Sequence, residues 1–348
     1  MARKAVILFN LGGPDSLDAV EPFLFNLFND PAIIRLPFPV RWLIAKLISR
    51  RRAPIAQKIY AHMGGSSPLV PQTEAQKDAL QSWLDLHADE DTFATFIVMR
   101  YWHPQSDAVA KKVREFNPDE ILLLPLYPQF SSTTTASSFK DWRRAAKSAG
   151  VMTPTASLCC YPSERGLISA YARLIAPKLL ELDGKPTRIL FSAHGLPQKI
   201  VDAGDPYQWQ IEQTAVQIVD RLARPGLDWK ICYQSRVGPM KWLQPSTDDE
   251  IRRAAAENLN LVIVPIAFVS EHSETLVELD IEYAEIAKDA GIASYHRVET
   301  VGISAEFIAG LGEMVLNLEA NNISSNDGGR ICPAKFGNCA IELPEPPK

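Results

Sequence analysis

The sequence predicts an α/β protein built of two similar, doubly wound lobes. Three observations carry this. Short apolar runs alternate with longer helical patterns; the runs are apolar throughout instead of alternating with polar residues; and a similar strand-to-loop passage opens each half of the chain. The runs are Ala5–Asn10, Phe93–Met99, Glu120–Leu126, Arg188–Ser192, Trp229–Tyr233 and Leu261–Phe268. Strands apolar on both faces belong to parallel sheets covered on both sides. Helical patterns between and beyond them span Leu17–Phe28, Glu74–Ala88, Ser106–Glu115, Gly166–Glu181, Gln208–Leu222, Thr247–Glu257 and Thr275–Ala290, giving a β-α-β-α order. The paired passages are KAVILFNLGGP (4–14) and TRILFSAHGLP (187–197), each a buried strand ending in a Gly- and Pro-marked loop. The expectation is an N-terminal Rossmann-like lobe over 1–165, a C-terminal one over 166–320 with a cleft between them, and an extended tail over 321–348.

The chain has 348 residues, 46% hydrophobic and 22% charged, as in an ordinary globular protein of about two domains. A net charge of −5 argues against nucleic acid as a partner. No leading segment reads as a secretory signal, and apolar runs such as Leu261–Val269 are about half the length of a membrane span. Five cysteines, an odd number, do not make a disulfide scaffold and point to a reducing cytoplasmic compartment. One stretch, Arg35–Arg52 (RLPFPVRWLIAKLISRRR), sets Trp42, Leu43, Leu47 and Ile48 beside Arg41, Lys46 and Arg50–Arg52. It reads either as a surface helix packing its apolar side on the protein or as a helix lying on an anionic membrane.

In open parallel sheets, ligands sit beyond the carboxyl ends of the strands. Here those ends carry Asn10-Leu-Gly-Gly-Pro14, Arg100-Tyr-Trp-His-Pro104, Tyr127-Pro-Gln-Phe, His194-Gly-Leu-Pro197, Gln234-Ser-Arg and Ser270-Glu-His-Ser-Glu274. Gly12-Gly13-Pro14 lacks the G-x-G-x-x-G and G-x-x-x-x-G-K-[ST] patterns of nucleotide sites and reads as a tight turn. His194 follows an apolar strand and titrates near neutrality, so it suits proton transfer; the alternative is a loop histidine satisfied by backbone. Glu274, Glu278 and Glu282 fall at i, i+4 and i+8, on one face if the segment is helical. Like charges at that spacing oppose helix formation, and cation handling is a reason to keep them. A solvated acidic face near a helix start is the alternative. His272 and Glu274 form a mixed pair suited to a first-row divalent metal such as Fe²⁺.

These residues resemble the ferrochelatases. SAHGLP (192–197), YQSRVGPMKWLQP (233–245) and PIAFVSEHSETLVELDIEY (265–283) are similar to that family's signatures, as are FNLGGPDS (9–16), MGGSSPL (63–69), MRYWHP (99–104) and YPQFSSTTTASS (127–138). The resemblance implies insertion of Fe²⁺ into protoporphyrin IX to give protohaem, the last step of haem biosynthesis, with the porphyrin held between two lobes. It implies that His194 accepts pyrrole protons or binds metal, that Glu274 stands opposite it, and that Glu278 and Glu282 continue an acidic row. It places Asn10, Arg100, Tyr101, Gln234, Ser235, Trp242, Phe268 and His272 in the porphyrin pocket or its support. Asn10-Leu-Gly-Gly is closer to the protoporphyrin-using branch than to the coproporphyrin-using one. Pro71 in SPLVPQT stands where some members have a methionine on the metal-entry side. The alternatives are a chelatase for coproporphyrin or another tetrapyrrole, and a two-lobed binding protein without catalysis. Oligomeric state is left open.

Some members of the family also hold a [2Fe–2S] cluster, which needs four thiolates. Ser132 removes the internal ligand of animal members, and Ile341 stands where a third tail cysteine would fall. Cys159, Cys160, Cys332 and Cys339 are then the candidate ligands, with Cys232 apart beside the Tyr233 loop. Buried thiols unrelated to a cluster, or a remnant of a lost one, are the other readings.

Overall fold

The computed structural model describes residues 1–236, 238 and 240–342. Val237 and Pro239 of the 233–245 segment, and residues 343–348 of the expected tail, lie outside the described residues.

Among the described residues nine strands form two sheets: β1 Arg3–Asn10, β2 Thr92–Met99, β3 Glu120–Pro125, β4 Thr155–Cys160, β5 Thr187–His194, β6 Asp228–Gln234, β7 Asn260–Pro265, β8 Tyr295–Arg297 and β9 Ile323–Ser325. The first sheet has the order β2-β1-β3-β4-β9, the second β6-β5-β7-β8. Strands β1 to β4 pair in parallel, as do β5 to β8. Both sheets therefore begin 2-1-3-4, and the two passages matched in the sequence are the central strands of the same winding. The order reverses between β1 and β3 and again between β5 and β7, the switch points where doubly wound sheets bind ligands.

The apolar runs form strands because helices cover them on both faces. Ala5 through Phe9 are fully buried, as are Leu261 through Val264. Phe9 packs edge-on against Phe139 and Trp142 of a helix over Thr135–Ser148, and Leu190, Leu261 and Ile263 pack with Ile251, Leu279 and Ala287. That helix was not anticipated, because its Thr- and Ser-rich start reads locally as loop. Strands β4, β8 and β9 were also missed. The last two are three residues each, too short to carry a period.

The chain divides into two compact units, but not at 165 and 320. The first comprises 1–127, 131–159 and 312–324; the second comprises 128–130, 160–311 and 325 onward. The contiguous division fails because β9 adds to the edge of the first sheet after the chain has built the second. The tail beyond β9 is not simply extended: Arg330 bonds the carbonyls of Cys332, Pro333, Phe336 and Ile341.

The Arg35–Arg52 stretch lies largely within a helix over Phe38–His62. Its apolar side does not pack inward as the plainer reading expects. Small residues do: Ala45, Ser49 and Ala53 are buried, while Phe38, Val40, Trp42, Leu43 (64% exposed) and Leu47 (50%) face out. Ile48 is half-buried. Among the described residues no helix is long and apolar enough to cross a membrane.

Candidate active site

The second sheet positions one set of candidates. His194 ends β5, Gln234 ends β6, and the loop after β7 leads into Glu274. Gly195 is required beside His194: its N–H donates to the Gln234 carbonyl (2.9 Å), and an added Cβ would stand 2.8 Å from that oxygen. Trp242 closes over the same glycine. In the first unit Gly12 turns at φ +84°, which favours glycine and bears out the tight-turn reading.

His194 Nδ1 meets Glu274 Oε2 at 2.8 Å. Glu274 Oε2 also accepts from the Ser235 hydroxyl (3.0 Å), which reaches on to Glu278. Glu278 Oε1 takes the Ser235 N–H (2.8 Å) and the Tyr283 hydroxyl (3.0 Å), and its other oxygen takes Gln234 Nε2 (3.0 Å). Ser235 serves both carboxylates because its backbone is left-handed, φ +63°, a conformation uncommon outside glycine. Gln234 is fully buried, its Oε1 accepts from Ser192 (2.7 Å), and so it supports the carboxylates. The Tyr207 hydroxyl donates to the His194 carbonyl (3.0 Å).

The resemblance set Glu274 opposite His194. In the structure the two side chains are in direct contact, sharing the 2.8 Å hydrogen bond. With Nδ1 bonded to the carboxylate, Nε2 is the ring atom left to work, and the His194 side chain is 38% exposed. The acidic row divides likewise. Glu274 and Glu278 are partly buried and joined through Ser235, whereas Glu282 is exposed.

Glu274, Thr275 and the residues to Glu282 form a π-helix, wound with i→i+5 bonds, which continues as an α-helix over Tyr283–Asp289. Such windings concentrate at functional sites. The Tyr295 hydroxyl donates to the Leu279 carbonyl (2.7 Å) inside it. Arg297 clamps the segment: it is bidentate on Asp280 (2.7 and 2.6 Å) and reaches Glu271 (2.6 Å), which also takes the Thr300 N–H. Arg297→Ala is expected to strand the largely buried Glu271 carboxylate and cost about 3 kcal/mol of stability, read by denaturant unfolding. Lys at 297 is expected to recover only part, because one ammonium cannot span both carboxylates.

The electrostatics separate the groups. Burial pulls the His194 imidazole down, but the charge and hydrogen bond of Glu274 more than reverse this and leave it raised. Burial pushes the Glu274 carboxyl up, yet His194, then His272 and Ser235, hold it down at about 2. Glu278 goes the other way: burial and the charge of Glu274 raise it. His272 packs against Phe268 with the rings tilted and their centroids 4.4 Å apart, and burial lowers its pKa, so it is neutral near neutral pH.

Asn10, Arg100 and Tyr101 belong to the first unit. Arg100 (2.8 Å) and the Tyr101 hydroxyl (2.8 Å) both donate to Asp30, as does Ser137, while Asn10 donates to Thr73 (2.9 Å). Tyr101 is buried and its pKa is raised by desolvation, so its hydroxyl stays protonated and donates to Asp30. Pro71 is exposed in the first turn of the helix Leu69–His87, where proline is tolerated.

The thiols do not fit a four-thiolate cluster. Cys160 and Cys332 share Gln210 Nε2 (3.3 and 3.2 Å), and Cys332 hydrogen-bonds Cys339. Cys159 is the strand neighbour of Cys160 and so points to the opposite face. Among the described residues no three of His, Cys, Asp or Glu are arranged to hold a metal ion.

Sequence reasoning missed Asp30, Tyr207, Tyr283 and Arg297.

Fold and site together define a two-unit parallel α/β protein with a hydrogen-bonded His–carboxylate pair beyond the central strand of its second sheet. The fold is similar to that of "SirB from Bacillus subtilis with Fe3+" (TM-score 0.53, 10% identity, covering 91% of this chain and 95% of that one). The family profile described as "Ferrochelatase" matches residues 3–318. Proteins named "Ferrochelatase" from Caulobacter vibrioides (strain NA1000 / CB15N) and Pelagibacter ubique (strain HTCC1062) are 54% and 50% identical, covering 97% of this chain in each case and 97% and 98% of theirs. The chain belongs to the ferrochelatase family: it is a metal-chelating lyase of haem synthesis, with Fe²⁺ as its substrate metal.

Proposed function

We propose that the chain inserts Fe²⁺ into protoporphyrin IX, with His194 as the acceptor of pyrrole protons. The observation that carries this is the 2.8 Å His194–Glu274 pair beyond the central strand of the second sheet, its imidazole partly exposed. A free porphyrin carries two N–H protons, and both must leave as the metal enters. His194 Nε2 takes a proton, and Glu274 holds the imidazolium that results. The Ser235 hydroxyl links Glu274 to Glu278, whose raised pKa favours receiving a proton. Exposed Glu282 would pass it to water. Trp242, Phe268 and His272 supply apolar and aromatic surface for a macrocycle. No step runs through an iron–sulfur cluster.

The test is an anaerobic assay of Fe²⁺, Co²⁺ and Zn²⁺ against protoporphyrin IX and coproporphyrin III. Fe²⁺ with protoporphyrin IX is expected to have the highest kcat/KM. Preference for coproporphyrin would transfer the reading to the other branch, and binding without insertion would leave a carrier.

A cytoplasmic enzyme resting on membrane is part of this reading. Leu43, Leu47, Phe38 and Trp42 are exposed beside Arg41, Lys46 and Arg50–Arg52, and each cation near an anionic surface contributes about 1 kcal/mol. The protein is expected to float with phosphatidylserine vesicles at low salt, and Leu43→Glu with Leu47→Glu to abolish this. Equal flotation of both forms would exclude that face.

A further inference from the structure

The tail holds a pair of thiols that the reaction does not use. Arg330 alone bonds four carbonyls between Cys332 and Ile341 and so closes residues 330–341 into a loop. Inside it the Cys332 thiol hydrogen-bonds the Cys339 sulfur. The loop is anchored from outside: Asn338 bonds the carbonyls of Gly204 (3.1 Å) and Ala203 (3.0 Å), and Phe336 packs on Trp209 with ring centroids 6.0 Å apart. Gln210 Nε2 holds Cys332 in place (3.2 Å). Cys332 is buried and Cys339 partly exposed, so one sulfur is open to a reagent and the other waits behind it.

We infer that Cys332 and Cys339 form a reversible dithiol–disulfide pair, a thiol-modification site whose co-reactant is a low-molecular-weight disulfide. The Cys339 thiolate attacks one sulfur of that disulfide; the S–S bond breaks and a small thiolate leaves. Cys332 then attacks the Cys339 sulfur, releasing the second small thiol. Two cysteine thiols are oxidised, one disulfide is reduced, and the two thiol protons go to the two departing thiolates. The geometry asks little of the backbone, because the sulfurs are already neighbours and Arg330 holds the loop closed around them.

The full chain, reduced and desalted under nitrogen, is equilibrated in glutathione buffers of rising oxidised-to-reduced ratio, trapped with an alkylating agent and mapped by peptide mass spectrometry. An intramolecular Cys332–Cys339 bond is expected to appear with a single midpoint. It should persist in Cys160→Ser and vanish in Cys339→Ser, which should instead keep Cys332 alkylatable after unfolding. A stable glutathione adduct on Cys339 without ring closure would overturn the pairing, as would full alkylation of both thiols at every ratio. Absorption beyond 400 nm in freshly isolated protein that disappears with Cys339→Ser would also overturn it, by making the pair cluster ligands.

Discussion

Replacing His194 by Ala is expected to slow metal insertion about 10²–10⁴-fold, the usual contribution of one positioned general base, while porphyrin binding is retained. The separation follows from the geometry. His194 ends a strand whose preceding residues Ile189 through Ala193 are fully buried, so its backbone is held by the sheet whatever the side chain. Its carbonyl still takes the Tyr207 hydroxyl, and Gly195 still lies against Gln234. What is lost is the imidazole, and Glu274 is then left without the cation that holds its pKa at about 2. Porphyrin fluorescence titration and stopped-flow insertion read the two parts separately. Insertion near the wild-type rate would remove His194 from the proton path.

Glu274→Gln is expected to lower the plateau rate about 10²–10³-fold, the range seen when one preorganised electrostatic partner is removed, and to shift the acid limb of the pH profile downward. A protonated imidazole cannot accept a proton, so the wild-type rate falls as pH drops through the raised value of His194. Without the Glu274 charge that value drops, so the limb moves to lower pH although the imidazolium is less well supported. A limb that stays in place would mean another group sets it. Stability has its own window. The His194 contribution is complete below the ordinary imidazole value and disappears as pH rises through the raised one. The Glu274 contribution is complete above the ordinary carboxylate value and disappears as pH falls toward about 2. The pair therefore stabilises most between about pH 4.3 and 6.5, and Glu274→Gln is expected to lower unfolding midpoints most within that range and to flatten their fall on either side of it.

Much of this protein was legible locally. Six strands could be placed because their residues are apolar on both faces, which only a covered parallel sheet explains. His194 and Gln234 could be picked out because they end such strands. The thiols were less legible: four cysteines suggested a cluster, but strand alternation turns Cys159 away from Cys160. The helix over Phe38–His62 had both an apolar and a basic side in the sequence, yet which side faced out depended on Ala45, Ser49 and Ala53 being small enough to pack closely.

By itself, the sequence determined the α/β class, the duplicated strand-to-loop passage and the residue types at the strand ends, because apolar periodicity and strand punctuation are properties of neighbouring residues. Only the tertiary structure decided that His194 and Glu274, 80 residues apart, share a hydrogen bond. It also decided that Glu278 joins them through Ser235 while Glu282 does not, and that Tyr207 and Arg297 hold the frame. Each of those contacts depends on how β5, β6 and β7 lie in register and on the π winding after β7. Distances between elements arise from packing, and no local pattern encodes them.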